Sequence, residues 1–112
     1  MTLFEKIAAG QIPARIVRET EDFLALHDVN PQAPVHVLIV PRRVIPRIGE
    51  ANEEDAQLLG RMLIAAADIA RELGIGGSGF RIVINNGADA GETIPHLHIH
   101  LLGGRGLAWP PG

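Results

Sequence analysis

The stretch that decides the fold is Pro95-His96-Leu97-His98-Ile99-His100-Leu101-Leu102, in which histidines and large aliphatic residues alternate. Side chains along a β-strand point to opposite faces with a period of two, so this pattern predicts a strand over 95–102. His96, His98 and His100 would then share one face, which is about 13 Å long at roughly 3.3 Å per residue. Leu97, Ile99 and Leu101 would share the other face and pack on the long helix.

Three aligned imidazoles have three possible uses. One is a run of partly exposed surface residues, although each ring nitrogen that is buried needs a hydrogen-bond partner. A second is zinc binding, because a His-x-His pair on a strand can place two imidazoles on one metal, with His36, His27 or a carboxylate as further ligands. The third is attack on phosphorus, since a neutral imidazole is a competent nucleophile near pH 7. In that case His98 is the best placed nucleophile, because it is flanked on both sides.

The remaining sequence predicts two helices and four more strands. Thr2 and Glu5 form a capping box before a short helix over 3–9, which Gly10 ends. A long helix over 53–73 has Asn52 as its N-cap. Its buried stripe is predicted to contain Leu59, Met62, Leu63, Ala66, Ile69, Ala70 and Leu73. The other strands are predicted over 16–20, 23–28, 35–40 and 80–85. This order indicates an α+β fold: one domain over 1–112 on a five-stranded antiparallel sheet with two helices.

Composition narrows the functional classes. The chain has 112 residues, of which 46% are hydrophobic, and it contains no cysteine. That excludes disulfides and cysteine-bound zinc, and it suits a cytoplasmic location. The net charge of −3 gives no indication of nucleic-acid binding. Glu5 and Lys6 stand where a signal peptide needs an apolar core, and the apolar stretch 62–70 is too short to span a membrane.

The sequence resembles a known family along nearly its whole length. His96-Leu-His-Ile-His-Leu-Leu102 matches the alternating motif of the histidine-triad (HIT) superfamily. The HINT branch, the histidine-triad nucleotide-binding proteins, is indicated by further segments. These are Leu26–His36, Arg81–Asn85 and the ending Gly103-Gly-Arg-Gly-Leu-Ala-Trp-Pro-Pro-Gly112.

The resemblance implies a function and a set of site residues. His98 would be the nucleophile and pass through a covalent nucleotidyl-histidine, His100 would contact the phosphate, and His96 and His36 would support them. Asp28 would accept hydrogen bonds from the ribose hydroxyls. The apolar slot for a purine base would consist of Leu3, Phe4, Ile7, Ile12 and Val29. The groups around the phosphate or leaving group would be Asn85, Gly91 and Thr93.

The resemblance also implies an assembly. Members of the family are homodimers whose sheets join, and the C-terminal tail, with Trp109, reaches the partner's site. No cofactor or metal is expected. The ligand would be a purine nucleoside monophosphate or its phosphoramidate.

Two positions depart from the family. The loop before the triad usually reads Gly-Gln-Ser, whereas this chain has Gly91-Glu92-Thr93. Thr93 keeps the hydroxyl but adds a methyl group. Glu92 places an acid near an anionic ligand, which weakens binding unless the side chain points away. His27 is interpreted as structural, and a basic cluster formed by Arg42, Arg43 and Arg47 is interpreted as a solvated loop.

Three functions are therefore distinguished. The leading hypothesis is a hydrolase of nucleoside 5′-phosphoramidates. The alternatives are a nucleotide-binding regulatory module with incidental turnover, and a zinc-binding protein.

Overall fold

A computed structural model describes all 112 residues and contains one five-stranded antiparallel sheet between two helices. The helices are α1 (Leu3–Ala8) and α2 (Ala56–Glu72). The strands are β1 (Ile16–Glu19), β2 (Phe23–His27), β3 (Val35–Pro41), β4 (Phe80–Val83) and β5 (Ile99–Gly103). Their order across the sheet is β1-β2-β3-β5-β4, so β3 and β5 are central neighbours. The predicted fold class is confirmed.

Alternation along the strands divides the core into two layers. On one face, Ala25, Ile39 and Ile99 belong to a cluster of 14 buried residues that includes the apolar side of α2. On the other face, Leu24 and Leu38 belong to a cluster of five buried residues that includes Phe4 of α1. Leu97 and Leu101 pack in the larger layer, as the alternation in 95–102 predicts.

Side-chain caps begin α1 and the short 3₁₀ helix that precedes α2. The Thr2 hydroxyl accepts from the Glu5 N–H, and the Glu5 carboxylate accepts from the Thr2 N–H, which confirms the predicted capping box. Asn52 caps a short 3₁₀ helix, Glu53–Asp55, that leads directly into α2. The predicted helix over 53–73 is thus correct in position, but its first turn is 3₁₀.

The buried stripe of α2 differs from the prediction at one residue. Met62, Ala66, Ile69 and Ala70 are buried, and Leu59 and Leu73 pack beside them. Leu63 is 40% exposed, so its assignment to the stripe was wrong. The buried position belongs to Ala65, because the helix sits closely against the sheet on the side where Ala65 lies.

Two strand boundaries also differ. The strand predicted over 95–102 begins at Ile99, so His96 and His98 lie in the segment that leads into β5. The last pair between β3 and β5 is Ile39 with Ile99, and the next residue of β3 on that side is Pro41. Proline has no N–H to donate, and the Leu97 N–H bonds instead to the carbonyl of Ile45.

The other difference lies in β4, predicted over 80–85, which ends at Val83 because its neighbour β5 starts only at Ile99. The first two strands and β3 lie within a residue of their predicted limits. Neither helix has the length and apolar character needed to cross a membrane.

Candidate active site

Four histidines meet on the face of the sheet that α1 covers. His36 comes from β3 and His100 from β5, and they are diagonal neighbours two residues apart in the register, since His36 lies opposite Leu102 and His100 opposite Leu38. His98 and His96 continue the same row before β5. The ring centres of His98 and His100 are 5.0 Å apart, and those of His36 and His100 are 5.2 Å apart. The shared histidine face thus exists although the strand begins later than predicted.

Backbone contacts determine which nitrogen of His98 is free. Its Nδ1 lies 2.8 Å from the carbonyl oxygen of His96. A carbonyl can only accept, so Nδ1 carries the proton and donates it. The Nε2 of neutral His98 therefore holds an unshared electron pair. A nucleophile requires this tautomer, with a free ring nitrogen. His98 also lines a pocket.

A second chain of hydrogen bonds sets the tautomer of His100. The Gln32 N–H donates to Nδ1 of His36 across 3.0 Å, which leaves the proton of neutral His36 on Nε2. That Nε2 lies 2.9 Å from Nδ1 of His100 and donates to it. The proton of His100 is consequently on Nε2, where it can donate to an anionic oxygen in the pocket.

Burial keeps three of these rings neutral at physiological pH. Burial lowers the pKa of His100 to about 4, with the neighbouring charges of His98 and His36 acting in the same direction. Burial also lowers the pKa of His36, against the opposing effect of Asp28, and the pKa of His96. The neutral tautomers derived above are therefore the relevant ones.

His96 is held at both ends of its ring. Its Nε2 donates to the carbonyl oxygen of Pro41 across 2.7 Å, and its Nδ1 lies 2.7 Å from the hydroxyl of Thr2. The Phe4 ring packs edge-on against His96 and tilted against His98, with centre distances of 5.4 and 5.1 Å. Thr2 was predicted as a helix cap but not as a contact of the triad, since the two positions are 94 residues apart.

A cavity of about 270 Å³ opens beside His98 and His100. Six other residues predicted for the site line it: Leu3, Phe4, Ile7, Asp28, Val29 and Thr93. Four more lining residues were not predicted: Leu26, His27, Leu38 and Ile94. His27, interpreted from sequence as structural, is thus also part of the cavity wall. Its position next to Asp28, at the end of a strand that contributes Leu26, is the signal that was available.

Other predicted residues lie outside the cavity wall. His36 and His96 are buried behind it and support the lining histidines. Ile12, Asn85, Gly91 and Trp109 do not line it in the single chain. Trp109 is 81% exposed at the end of a tail that Arg81 holds through the carbonyl oxygens of Leu107 and Ala108.

Asp28 lies between the cavity and the histidine chain. Its Oδ1 accepts from the Asn30 N–H across 2.8 Å, and its Oδ2 lies 3.3 Å from Nε2 of His36. The side chain remains 19% exposed, and it lines the cavity. A carboxylate accepts several hydrogen bonds, so Asp28 has unused acceptor capacity facing a ligand.

Glu92 does not line the cavity, and its carboxylate is paired with Arg47. Both carboxylate oxygens accept from Arg47, with Nε–Oε1 at 2.9 Å and Nη2–Oε2 at 3.0 Å, and Oε1 also accepts from the Gly87 N–H. The hydrogen bonds from Arg47 hold the pKa of Glu92 below its usual value, and Gly87 adds to this. Glu92 therefore links the two ends of the loop 87–93 through Gly87, and it links this loop to the segment after β3 through Arg47.

The basic cluster lies in a partly exposed loop, and its arginines also make contacts within the protein. Besides the pairing of Arg47, the Nε of Arg42 donates to the carbonyl oxygen of Thr20, and Arg43 pairs with the buried Asp55. All three guanidinium groups therefore bind protein groups, two of them carboxylates and one a backbone carbonyl.

Metal binding can be assessed from the hydrogen bonds. Asp28, His36 and His100 offer ligand atoms within 4.8 Å of one another. However, Nδ1 of His36 accepts from Gln32, so its Nε2 carries a proton and donates to His100. A metal at that Nε2 would displace the proton and break the bond to His100. The ring nitrogens of His36 and His100 that could bind a metal are thus already joined by a hydrogen bond.

A larger groove lies elsewhere, beside α2, with a volume of about 510 Å³. Its arginines are already paired, Arg18 with Glu72 and Arg61 with Asp22. It contains no histidine, so it offers no imidazole nucleophile. The histidine cavity is therefore the candidate active site.

Comparison with known proteins agrees with this geometry. The HIT domain family matches residues 9–107, which is most of the chain. The protein therefore belongs to the HIT family.

Relatives and solved structures cover the chain almost completely. An uncharacterized HIT-like protein of Synechocystis is 54% identical over 111 residues, covering 99% of this chain and 96% of that protein. The crystal structure of a HIT family hydrolase from Legionella pneumophila has a TM-score of 0.98 at 45% identity, with 100% of each chain covered. A histidine triad nucleotide-binding protein from Candida albicans has a TM-score of 0.83 at 26% identity, covering 98% of this chain and 83% of that one.

Proposed function

We propose that this protein is a hydrolase of the HINT branch that cleaves purine nucleoside 5′-phosphoramidates through a covalent intermediate on His98. The observation that carries the proposal is the fixed tautomer of His98, whose Nδ1–H is held by the His96 carbonyl while Nε2 is free. The names of the similar proteins from Legionella and Candida, a hydrolase and a nucleotide-binding protein, support the same class.

In the first step, Nε2 of His98 attacks the phosphorus, the bond from phosphorus to nitrogen breaks, and the amine leaves with a proton taken from solvent water, which the second step returns. The ring gains positive charge as the new bond forms. Its Nδ1–H then becomes a charge-assisted donor to the His96 carbonyl, and such a bond is stronger than a neutral one. The interaction strengthens as the reaction proceeds, which is what stabilises a transition state.

In the second step, water attacks the phosphorus of the nucleotidyl-histidine. The bond from phosphorus to Nε2 breaks, the nucleoside monophosphate leaves and His98 regains its electron pair. His100, neutral with its proton on Nε2, donates to a phosphate oxygen in both steps. A protonated His100 would also carry a proton on Nδ1 and lose the hydrogen bond that His36 donates.

The cavity wall suits a nucleoside end. The base would pack against the apolar residues on α1 and β2, and Asp28 would accept from the ribose hydroxyls. Asn85, Gly91 and Thr93 would contact the phosphate or the leaving group, and of these Thr93 lines the cavity. In a homodimer, Trp109 would reach the partner's site. Purified protein is expected to work without metal or cofactor.

The test is mass spectrometry of a quenched reaction with adenosine 5′-phosphoramidate. We expect one adenylyl group on the peptide that contains the triad, with fragmentation placing it on His98. His98→Asn, which keeps a polar side chain of similar reach, should fold and form no adduct. Placement on another histidine, or turnover without an adduct under rapid quench, would contradict the proposal.

Binding, turnover and chelation measurements distinguish the alternative functions. A binding module would retain AMP without turning over any phosphoramidate in a panel of leaving groups. A zinc protein would lose its activity on dialysis against a strong chelator and recover it with stoichiometric zinc. For a metal-independent enzyme, we expect the specificity constant to be unchanged by the chelator.

A further inference from the structure

Thr2 lies where the first helix meets the histidine triad. Its backbone and side chain form the capping box with Glu5 that begins α1. The same hydroxyl lies 2.7 Å from Nδ1 of His96. One small side chain therefore joins the helix that lines the cavity to a histidine of the triad.

The directions of these hydrogen bonds can be derived. Nε2 of His96 faces the Pro41 carbonyl, which can only accept, so the proton of neutral His96 is on Nε2. Nδ1 must then accept. Thr2 receives the Glu5 N–H on a lone pair, which leaves its own hydroxyl proton free to donate to His96. No other tautomer satisfies all three contacts.

The contact between Thr2 and His96 affects the nucleophile His98 through the backbone carbonyl of His96. The His96 ring is fixed at both ends, by Thr2 and by Pro41, and its carbonyl oxygen receives Nδ1–H of His98. Loss of one end would let the ring and its peptide rotate. The acceptor that selects the tautomer of His98 would then move.

We propose that Thr2 is a positioning residue for His98. Together with the Pro41 carbonyl, its hydroxyl holds His96 in the Nε2–H tautomer, and His96 in turn holds the carbonyl that orients the nucleophile. The inference rests on the proposed function for its kinetic consequence, but the tautomer of His96 can be measured without any substrate. Burial of His96 adds to the requirement, since a buried ring nitrogen without a partner is unfavourable.

Three substitutions of Thr2 distinguish its role as a helix cap from its role as a hydrogen-bond donor to His96. Thr2→Ser keeps both the cap and the hydroxyl donor. Thr2→Asp keeps a strong N-cap but has no proton to donate. Thr2→Val has nearly the shape of threonine and loses both. If Thr2 acts only as a helix cap, the Thr2→Ser and Thr2→Asp variants should have similar activity. If Thr2 acts as a donor to His96, the Thr2→Asp and Thr2→Val variants should lose similar activity.

The kinetic readout uses adenosine 5′-phosphoramidate, with melting temperature as a check on folding. We expect Thr2→Ser to stay within about twofold of the wild-type kcat. Thr2→Asp should lose about tenfold in kcat with KM nearly unchanged, which corresponds to one hydrogen bond lost at the reacting end. Thr2→Val should lose a similar factor in kcat and also raise KM, because α1 is uncapped. Wild-type kcat in Thr2→Asp, or an equal loss in Thr2→Ser, would overturn the proposal.

The structural readout is the ¹⁵N shifts of the histidine rings in the resting protein. In the wild type and in Thr2→Ser, His96 should show a protonated Nε2 and an accepting Nδ1, and Thr2→Asp should change this pattern. A wild-type His96 protonated on Nδ1 would overturn the proposal without any variant. If the tautomer is as derived but no phosphoramidate is cleaved, the proposed function fails while the contact between Thr2 and His96 stands.

Discussion

At the scale of single residues, the site depends on backbone groups that select histidine tautomers. The carbonyls of His96 and Pro41 accept, and the Gln32 N–H donates. Each neutral ring has one proton, so each backbone contact decides which nitrogen remains available. The four rings therefore take their chemical character from three backbone groups and one hydroxyl.

Asp28 provides a prediction about the sugar. Asp28→Asn keeps an oxygen for the Asn30 N–H but removes the negative charge that strengthens hydrogen bonds from hydroxyls. Such charge-assisted bonds contribute about 1.5–3 kcal/mol. We expect ribonucleoside phosphoramidates to lose specificity constant by roughly ten- to hundredfold. The 2′,3′-dideoxy substrates should lose much less, and equal losses would place Asp28 away from the ribose.

The lowered pKa of His100 provides a prediction about pH. The folded protein holds His100 neutral down to a pKa of about 4, whereas the unfolded chain takes up the proton near 6.5. The unfolded state thus binds more protons between these values, so stability falls as pH falls through this window. The contribution is complete above about pH 6.5.

For this one residue we expect about 1–2 kcal/mol of lost stability between pH 7 and pH 5. His100→Asn should reduce that slope in urea titrations at several pH values. An unchanged slope would show that His100 titrates normally in the folded protein. His36 and His96 contribute with the same sign, since burial lowers their pKa as well.

The triad, Asp28 and much of the apolar wall could be predicted from sequence, because their pattern is local or belongs to a family motif. Thr2 and the Gln32 N–H could not, since each contacts a histidine that only the folded chain brings near. The same holds for Leu38, which reaches the cavity through the register of the sheet, and for Ile94, which reaches it from the segment before the triad.

At the scale of elements, the loop 87–93 depends on the pair between Arg47 and Glu92. The Glu92 side chain is 13% exposed, and its charge acts on His98. Arg47→Gln should leave that charge unpaired beside the phosphate site. We expect AMP to bind roughly tenfold more weakly, about 1.4 kcal/mol, while adenosine binds as before.

Glu92→Gln and the double variant control this prediction. Gln at 92 is the residue the family usually has, so we expect near-normal AMP affinity in both. Calorimetry with AMP and adenosine measures the four proteins. A double variant as weak as Arg47→Gln would assign the effect to the shape of the loop and not to its charge.

The elements themselves were predictable except at their ends. Periodicity identified α2 and all five strands, and the capping box located α1. The start of β5 depended on Pro41 of a strand 58 positions earlier, which has no N–H to extend the ladder. Such effects of a partner strand are absent from the local pattern.

At the scale of the whole molecule, we predict a homodimer. The sheet ends in β4, an open edge strand, and the nearby Phe80 and the tail residue Trp109 are exposed large hydrophobics. Sedimentation at micromolar concentration should give about twice 12.0 kDa. Trp109 is the only tryptophan and lies outside the cavity of its own chain, so its fluorescence should respond to AMP only if it reaches the partner's site. A monomer with unresponsive fluorescence would contradict both expectations.

The unequal layers of the core have a consequence for how a ligand enters. The α2 face contains 14 buried residues, and the face under the six-residue α1 contains five. Regions with few buried contacts open locally at a much lower free energy than the global value. The amides of α1 should therefore exchange with solvent long before those of α2. Detachment of α1 would expose the base slot and withdraw Thr2 from His96 while the rest of the sheet stays folded. The site would thus be inactive while α1 is detached, and binding of the base would favour the state in which α1 is packed on the sheet.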